Sequence, residues 1–145
     1  MAEDKKYYAI CEGCKSLVET LSKEQIEKGT ANILWTNPKP TEEFAAQTIE
    51  LKENSYKYFR IKFRNLSNDR VWFFDVEANT SFQVIMNALY TPSGKGYLGF
   101  FYRSDCSCTQ KTITFDTGKY ISGADTSIND RNNYLIPVEV IGFNL

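Results

Sequence analysis

Four cysteines, two neighbouring carboxylates and a row of basic side chains are the groups in this chain whose types and spacing could do chemistry. Cys11-Glu12-Gly13-Cys14 is a C-x-x-C pair and Cys106-Ser107-Cys108 a C-x-C pair. A structural zinc site needs four thiolates converging tetrahedrally. The first pair has suitable spacing, but the second lies far downstream and is one residue tighter than a usual knuckle. A thioredoxin-like redox pair belongs at a helix N-terminus near a βαβ unit, and no such pattern is present. The expectation is reduced thiols with no metal and no cofactor.

Asp75 and Glu77 lie two apart, the arrangement from which a carboxylate-dependent glycan hydrolase could draw its acid and base. They alternate with Trp72, Phe74 and Val76, so strand geometry turns them to solvent. Tyr58, Arg60, Lys62 and Arg64 form a basic, partly aromatic row of the kind that can track single-stranded nucleic acid. The chain has 17 basic and 18 acidic residues and a net charge of −1, without the basic excess of a nucleic-acid binder. The row is expected to be the polar side of an amphipathic strand. Ser93-Gly94-Lys95-Gly96 lacks both the spacing and the following helix of a phosphate loop and is a turn. Asn65 and Asn79 match the glycosylation acceptor pattern, which has no meaning without a secretory route. Histidine is absent, which removes the usual triads and the commonest metal ligand. No catalytic, cofactor-binding or metal-ligating residue is therefore assigned.

The elements that would have to position these groups come from periodicity. At 145 residues the chain fits one domain with a short appendage. Residues 1–31 are charged and form an N-terminal arm. Its helix signal runs over 22–28, with Ser22 as N-cap, Gln25 as capping-box partner, Leu21 and Ile26 as a hydrophobic staple and Gly29 as the stop. From 32 to 145 the period changes to two. Phe59, Ile61 and Phe63 share one face of 57–64; Trp72, Phe74, Val76 and Ala78 share one face of 71–78; Phe82, Val84, Met86, Ala88 and Tyr90 share one face of 82–90. Further strands are expected at 96–104, 111–116 and 135–143, with Pro137 at an edge or bulge, and a long polar surface loop over 117–133. Seven or eight short strands with turn signals between them predict an all-β fold, an antiparallel β-sandwich or jelly-roll-like domain. The apolar runs are too short to span a bilayer, and the N-terminus has no signal-peptide core.

Aromatics make up 14% of the chain, too many for one inward face. Trp35, Phe73, Phe100, Phe101 and Tyr102 break the alternation, and some aromatic surface is expected outside the core. Such surface serves an oligomer interface or, in a carbohydrate-binding module, a sugar.

Four phrases carry a family resemblance. Leu34-Trp35-Thr36-Asn37-Pro38 is followed by Phe44-Ala45-Ala46-Gln47-Thr48, then by a strand leading from Ile49 to Tyr56; the chain closes on Tyr134 to Phe143, with Ile136-Pro137 and Ile141-Gly142. Over about residues 32–145 this resembles a domain of small virion structural proteins of tailed bacteriophages and prophages, found in fibres, baseplates and capsid decorations. The resemblance implies a non-enzymatic accessory protein made in the bacterial host cytoplasm and located in the virion. It implies attachment to another virion protein through residues 1–31, display of a homo-oligomer, with a trimer preferred, and contact with the host surface, where a glycan could be met. The family supplies no catalytic residues. Coiled-coil heptads are missing ahead of the domain, which favours a compact accessory protein over a long fibre shaft. Prolines in the opening segment are expected to set a turn, and Trp35 and Phe44 to anchor it to the core.

Overall fold

The computed structural model describes residues 32–66, 69–90, 97–122 and 125–145, and the regular structure in them is entirely β. The strands are β1 (Ile33–Thr36), β2 (Gln47–Glu50), β3 (Tyr58–Arg64), β4 (Val71–Glu77), β5 (Ser81–Tyr90), β6 (Tyr97–Cys108), β7 (Thr112–Phe115), β8 (Lys119–Ser122), β9 (Asp125–Asp130) and β10 (Ile136–Phe143). One sheet has the order β1-β10-β3-β4. The other has the order β2-β7-β6-β8-β9, with β5 also paired to β6. The registered pairs are antiparallel, and the two sheets share one apolar core, as a sandwich does.

Period-two alternation produces that core. Phe59, Ile61 and Phe63 of β3 are fully buried, as are Ile136 and Val140 of β10. The second sheet contributes Phe82, Val84, Met86, Phe101, Ile113 and Phe115. Phe115 is an aromatic hub: Phe44, Phe63 and Phe82 meet it edge to face at centroid distances of 5.6, 6.1 and 6.5 Å. Phe74 of β4 stacks on Phe82 of β5 at 5.6 Å, which joins the two sheets at that end. Full burial of one such side chain stabilises the fold by about 1.5–3 kcal/mol.

Two expectations are corrected. The span 117–133 is not a loop throughout: it contains β8 and β9, which pair with each other, and β8 also pairs with β6. β9 is the last strand of its sheet, and consecutive Ile128, Asn129 and Asp130 are all exposed, so polar side chains are tolerated there and composition read as loop what is a sheet margin. The strand expected at 96–104 continues to Cys108. Its alternation is broken by a bulge that places one extra residue between the pairs Val84–Arg103 and Phe82–Cys106. Ala78, one residue beyond β4, packs against the core with the rest of its row, as expected. Pro137 does mark a bulge, where the β10 register shifts between Pro137 and Glu139. The helix at 22–28, Cys11, Cys14 and the turn at 93–96 lie outside the described residues.

Candidate functional site

The opening segment is held by its own side chains. Asn37 is buried. Its Nδ2 donates to the Pro137 carbonyl at 2.8 Å, its backbone N–H donates to the Val138 carbonyl at 2.8 Å, and its Oδ1 accepts the Lys39 N–H at 2.8 Å. One asparagine thus ties the turn after β1 to the bulge of β10 and closes an Asx-turn before Pro40. Trp35 packs edge to face on buried Phe44 at 6.3 Å. The Tyr56 ring lies against Gly142, so close that any Cβ there would collide with it. The phrases near residues 34–38, 44–48, 56 and 134–143 therefore meet in space.

Behind them sits Arg103, fully buried and absent from the sequence-based candidates. On the side of β6 opposite β5, the partner changes from β8 at Gly99–Tyr102 to β7 at Ser107–Cys108. The Arg103 guanidinium occupies the region where these partners part. Its Nε donates to the Leu135 carbonyl at 3.0 Å, one terminal nitrogen donates to the Asp116 carbonyl, and the other donates to the Phe44 carbonyl at 2.8 Å and the Tyr134 carbonyl at 3.4 Å. Its charge also lies 5.5 Å from the Phe44 ring centroid. Burial pushes its pKa down to about 10, which leaves it cationic at neutral pH. Leu135 has φ 49°, a conformation a bulky residue rarely adopts. It is clamped from two sides, since buried Asn65 accepts its N–H at 3.1 Å while Arg103 takes its carbonyl. Burial raises the pKa of neighbouring Asp116, but Ser104 Oγ, the Thr117 N–H and Lys119 Nζ outweigh that and hold the carboxyl below its ordinary range. All of these polar groups are spent on backbone or on each other, and Arg103 has a structural role.

Cys106 and Cys108 are buried, free thiols. Cys108 Sγ donates to the Glu77 carbonyl at 3.1 Å, and burial raises the Cys106 pKa, so both behave as core side chains. Among the described residues no cluster of three or more metal-ligating side chains forms. Asp75 and Glu77 face solvent. Arg60 grips Asp75 through two bonds of 2.7 Å, and this lowers the carboxyl's pKa. Arg64 pairs with Asp69. The basic row is thus neutralised within its own hairpin except at Lys62, which has no ion pair among the described residues. Tyr58 stacks on Phe143 at 5.5 Å, with Arg60 over the same ring.

The aromatics divide as strand geometry requires. Phe101 is buried, stacked between Tyr120 at 4.6 Å and Tyr134 at 3.7 Å, and leaves no surface for binding. Phe73 is 61% exposed beside Val71 at 43%. On the outer face of the second sheet, Ile85 is 58% exposed and Ile128 59%, with half-buried Phe100, Tyr102 and Ile121 between them in register. The features with most to offer a partner are therefore exposed apolar strand faces.

No protein-family model matches the chain, and no curated protein or solved structure shows significant similarity to it.

Proposed function

We propose that the chain is a non-enzymatic structural protein of a phage or prophage virion. It is made in the bacterial host cytoplasm and displayed on the particle as a homo-oligomer, with residues 1–31 as the attachment segment. The observation that carries this reading is the mutual contact of the segments on which the family resemblance rests. Asn37 bonds the bulge after Pro137, the Phe44 carbonyl is bound by Arg103, and Tyr56 covers Gly142. Contacts of this kind build a frame rather than a reaction centre, which fits a domain whose role is to be shaped and displayed.

A carbohydrate-binding role is the second reading and can coexist with the first. It is favoured by the half-buried Tyr58–Phe143 stack beside a cleft lined by Tyr56, Glu77, Asn79 and Gln110. Gln110 Nε2 is spent on Asn54 Oδ1 and the Tyr56 carbonyl, so the groups offered to a sugar beside the aromatic face are the Asn79 amide and the Glu77 carboxylate. The test is mass spectrometry of purified particles produced by a bacterium that carries the gene. Recovery of the chain in intact virions at a fixed copy number relative to the major head or tail protein is the expected result. Particles that lack it would overturn the virion assignment, and glycan binding by the free protein would then favour the second reading.

A further inference from the structure

β4 is the last strand of its sheet, and among the described residues no strand pairs with its other side. The Ala78 N–H bonds the Lys57 carbonyl at 2.8 Å, and the Arg70 carbonyl accepts the Asn65 N–H at 3.2 Å. Antiparallel alternation between these two points directs the backbone groups of Trp72, Phe74 and Val76 towards β3. Those of Val71, Phe73 and Asp75 point away from the sheet. The Glu77 carbonyl also points away, but it is already taken by Thr80 Oγ1 and Cys108 Sγ. The strand is seven residues long, and Val71 to Phe74 are continuously apolar. Phe73 and Val71 are exposed on its outer face, and the inward-facing Trp72 and Phe74 are only half-buried. An unprotected apolar edge of this kind is a template for pairing with another strand.

We infer that this edge pairs with β4 of a second copy, antiparallel about a two-fold axis at Phe74, so that the two four-stranded sheets become one. This deepens the assembly part of the reading above by naming the surface, and it does not depend on the particle. The edge is self-complementary in charge. Beside Val71 and Phe73, the neighbouring strand carries Arg64 and Lys62 in register. At the other end of the strand stand Asp75 and Glu77. A two-fold at Phe74 sets Val71 opposite Glu77 and Phe73 opposite Asp75 of the second copy. Lys62 and Arg64 then come within two strand spacings, about 10 Å, of those acids. Asp75 and Arg64 already have partners within the hairpin. The charges left without an ion pair among the described residues are Lys62 and Glu77, and the pairing sets them diagonally, about 12 Å apart backbone to backbone, within reach of the two side chains. It also covers the Phe73 ring and completes the burial of Trp72 and Phe74. Such an interface is isologous and closes at two copies, in place of the three-fold association that the resemblance implies.

The test is sedimentation of the full chain at micromolar concentration, with three variants. Phe73→Pro removes an N–H that points away from β3, so the hairpin keeps its own ladder. Phe73→Asp places a charge at the centre of the contact, and Ile85→Asp alters the exposed face of the other sheet. Circular dichroism and cooperative unfolding establish that each variant is folded. The expected result is a dimer whose dissociation constant rises about a hundredfold or more in Phe73→Pro, which loses one bond from each copy along with the close approach. Phe73→Asp should act in the same direction, and Ile85→Asp should leave the dimer intact. A wild-type monomer would overturn both this inference and the proposed homo-oligomer. A wild-type trimer, or a dimer that survives both Phe73 variants but is lost in Ile85→Asp, would overturn the β4 pairing while leaving association itself standing.

Discussion

Arg103 is held by carbonyl oxygens and by the face of Phe44, with no carboxylate side chain among its hydrogen-bond partners. The planar fork of the guanidinium presents several donors in fixed directions, and here it serves four carbonyls: that of Asp116 between β7 and β8, that of Phe44 before β2, and those of Tyr134 and Leu135 before β10. Lysine has the charge but a single nitrogen, and cannot reach carbonyls on opposite sides of the site. Arg103→Lys should therefore strand at least two buried acceptors and cost about 2–4 kcal/mol, measured by chemical denaturation. A loss below about 0.5 kcal/mol would show that these bonds carry little net stability. Leu135, strained at positive φ and tied down by the same guanidinium, should be among the residues whose amide protection falls in this variant.

At the scale of elements, the closing strand is the clearest case of local sequence explained by a distant partner. Gly142 is the second-to-last residue of β10 and is paired with Phe59, where glycine weakens the strand unless another group approaches closely. The Tyr56 ring fills the space a side chain would need. Gly142→Ala should force that ring aside, open the packing between the segment before β3 and β10, and lower stability by about 1–3 kcal/mol. A thermal midpoint within a degree of the parent would mean that Tyr56 moves freely. The hairpin of β3 and β4 behaves as its alternation suggests, with Arg60 and Asp75 paired across it on the solvent side. The exposed pair contributes little to stability, and its effect is to cancel charge on a face that would otherwise repel itself.

For the whole molecule, residues 34–145 form one compact unit, and the hydrophobic core lies within it, from Leu34 through Phe115 to Val140. A chain that starts at Thr30 should accordingly unfold cooperatively, with a midpoint within a few degrees of the full-length protein. An insoluble or non-cooperative product would place part of the core in residues 1–31. The same shortened chain should still associate, because the β4 edge belongs entirely to the sandwich.

Sequence alone determined the β class, the inward rows of β3, β4 and β5 and the solvent exposure of Asp75 and Phe73, and it marked Pro137 as an edge or a bulge. Each follows from a period of two or from a ring that lacks an N–H, which are properties of consecutive residues. It could not show β8 and β9, because a strand at a sheet margin needs no apolar alternation when its pairing is supplied by a neighbour. Nor could it show Arg103, since an arginine between Tyr102 and Ser104 looks like any surface cation until a bulge and a change of strand partner enclose it. The burial of Phe101 illustrates the same limit. It stands between Phe100 and Tyr102, and only the tertiary structure, by setting which side chains cover each face of β6, decided which of the three became core.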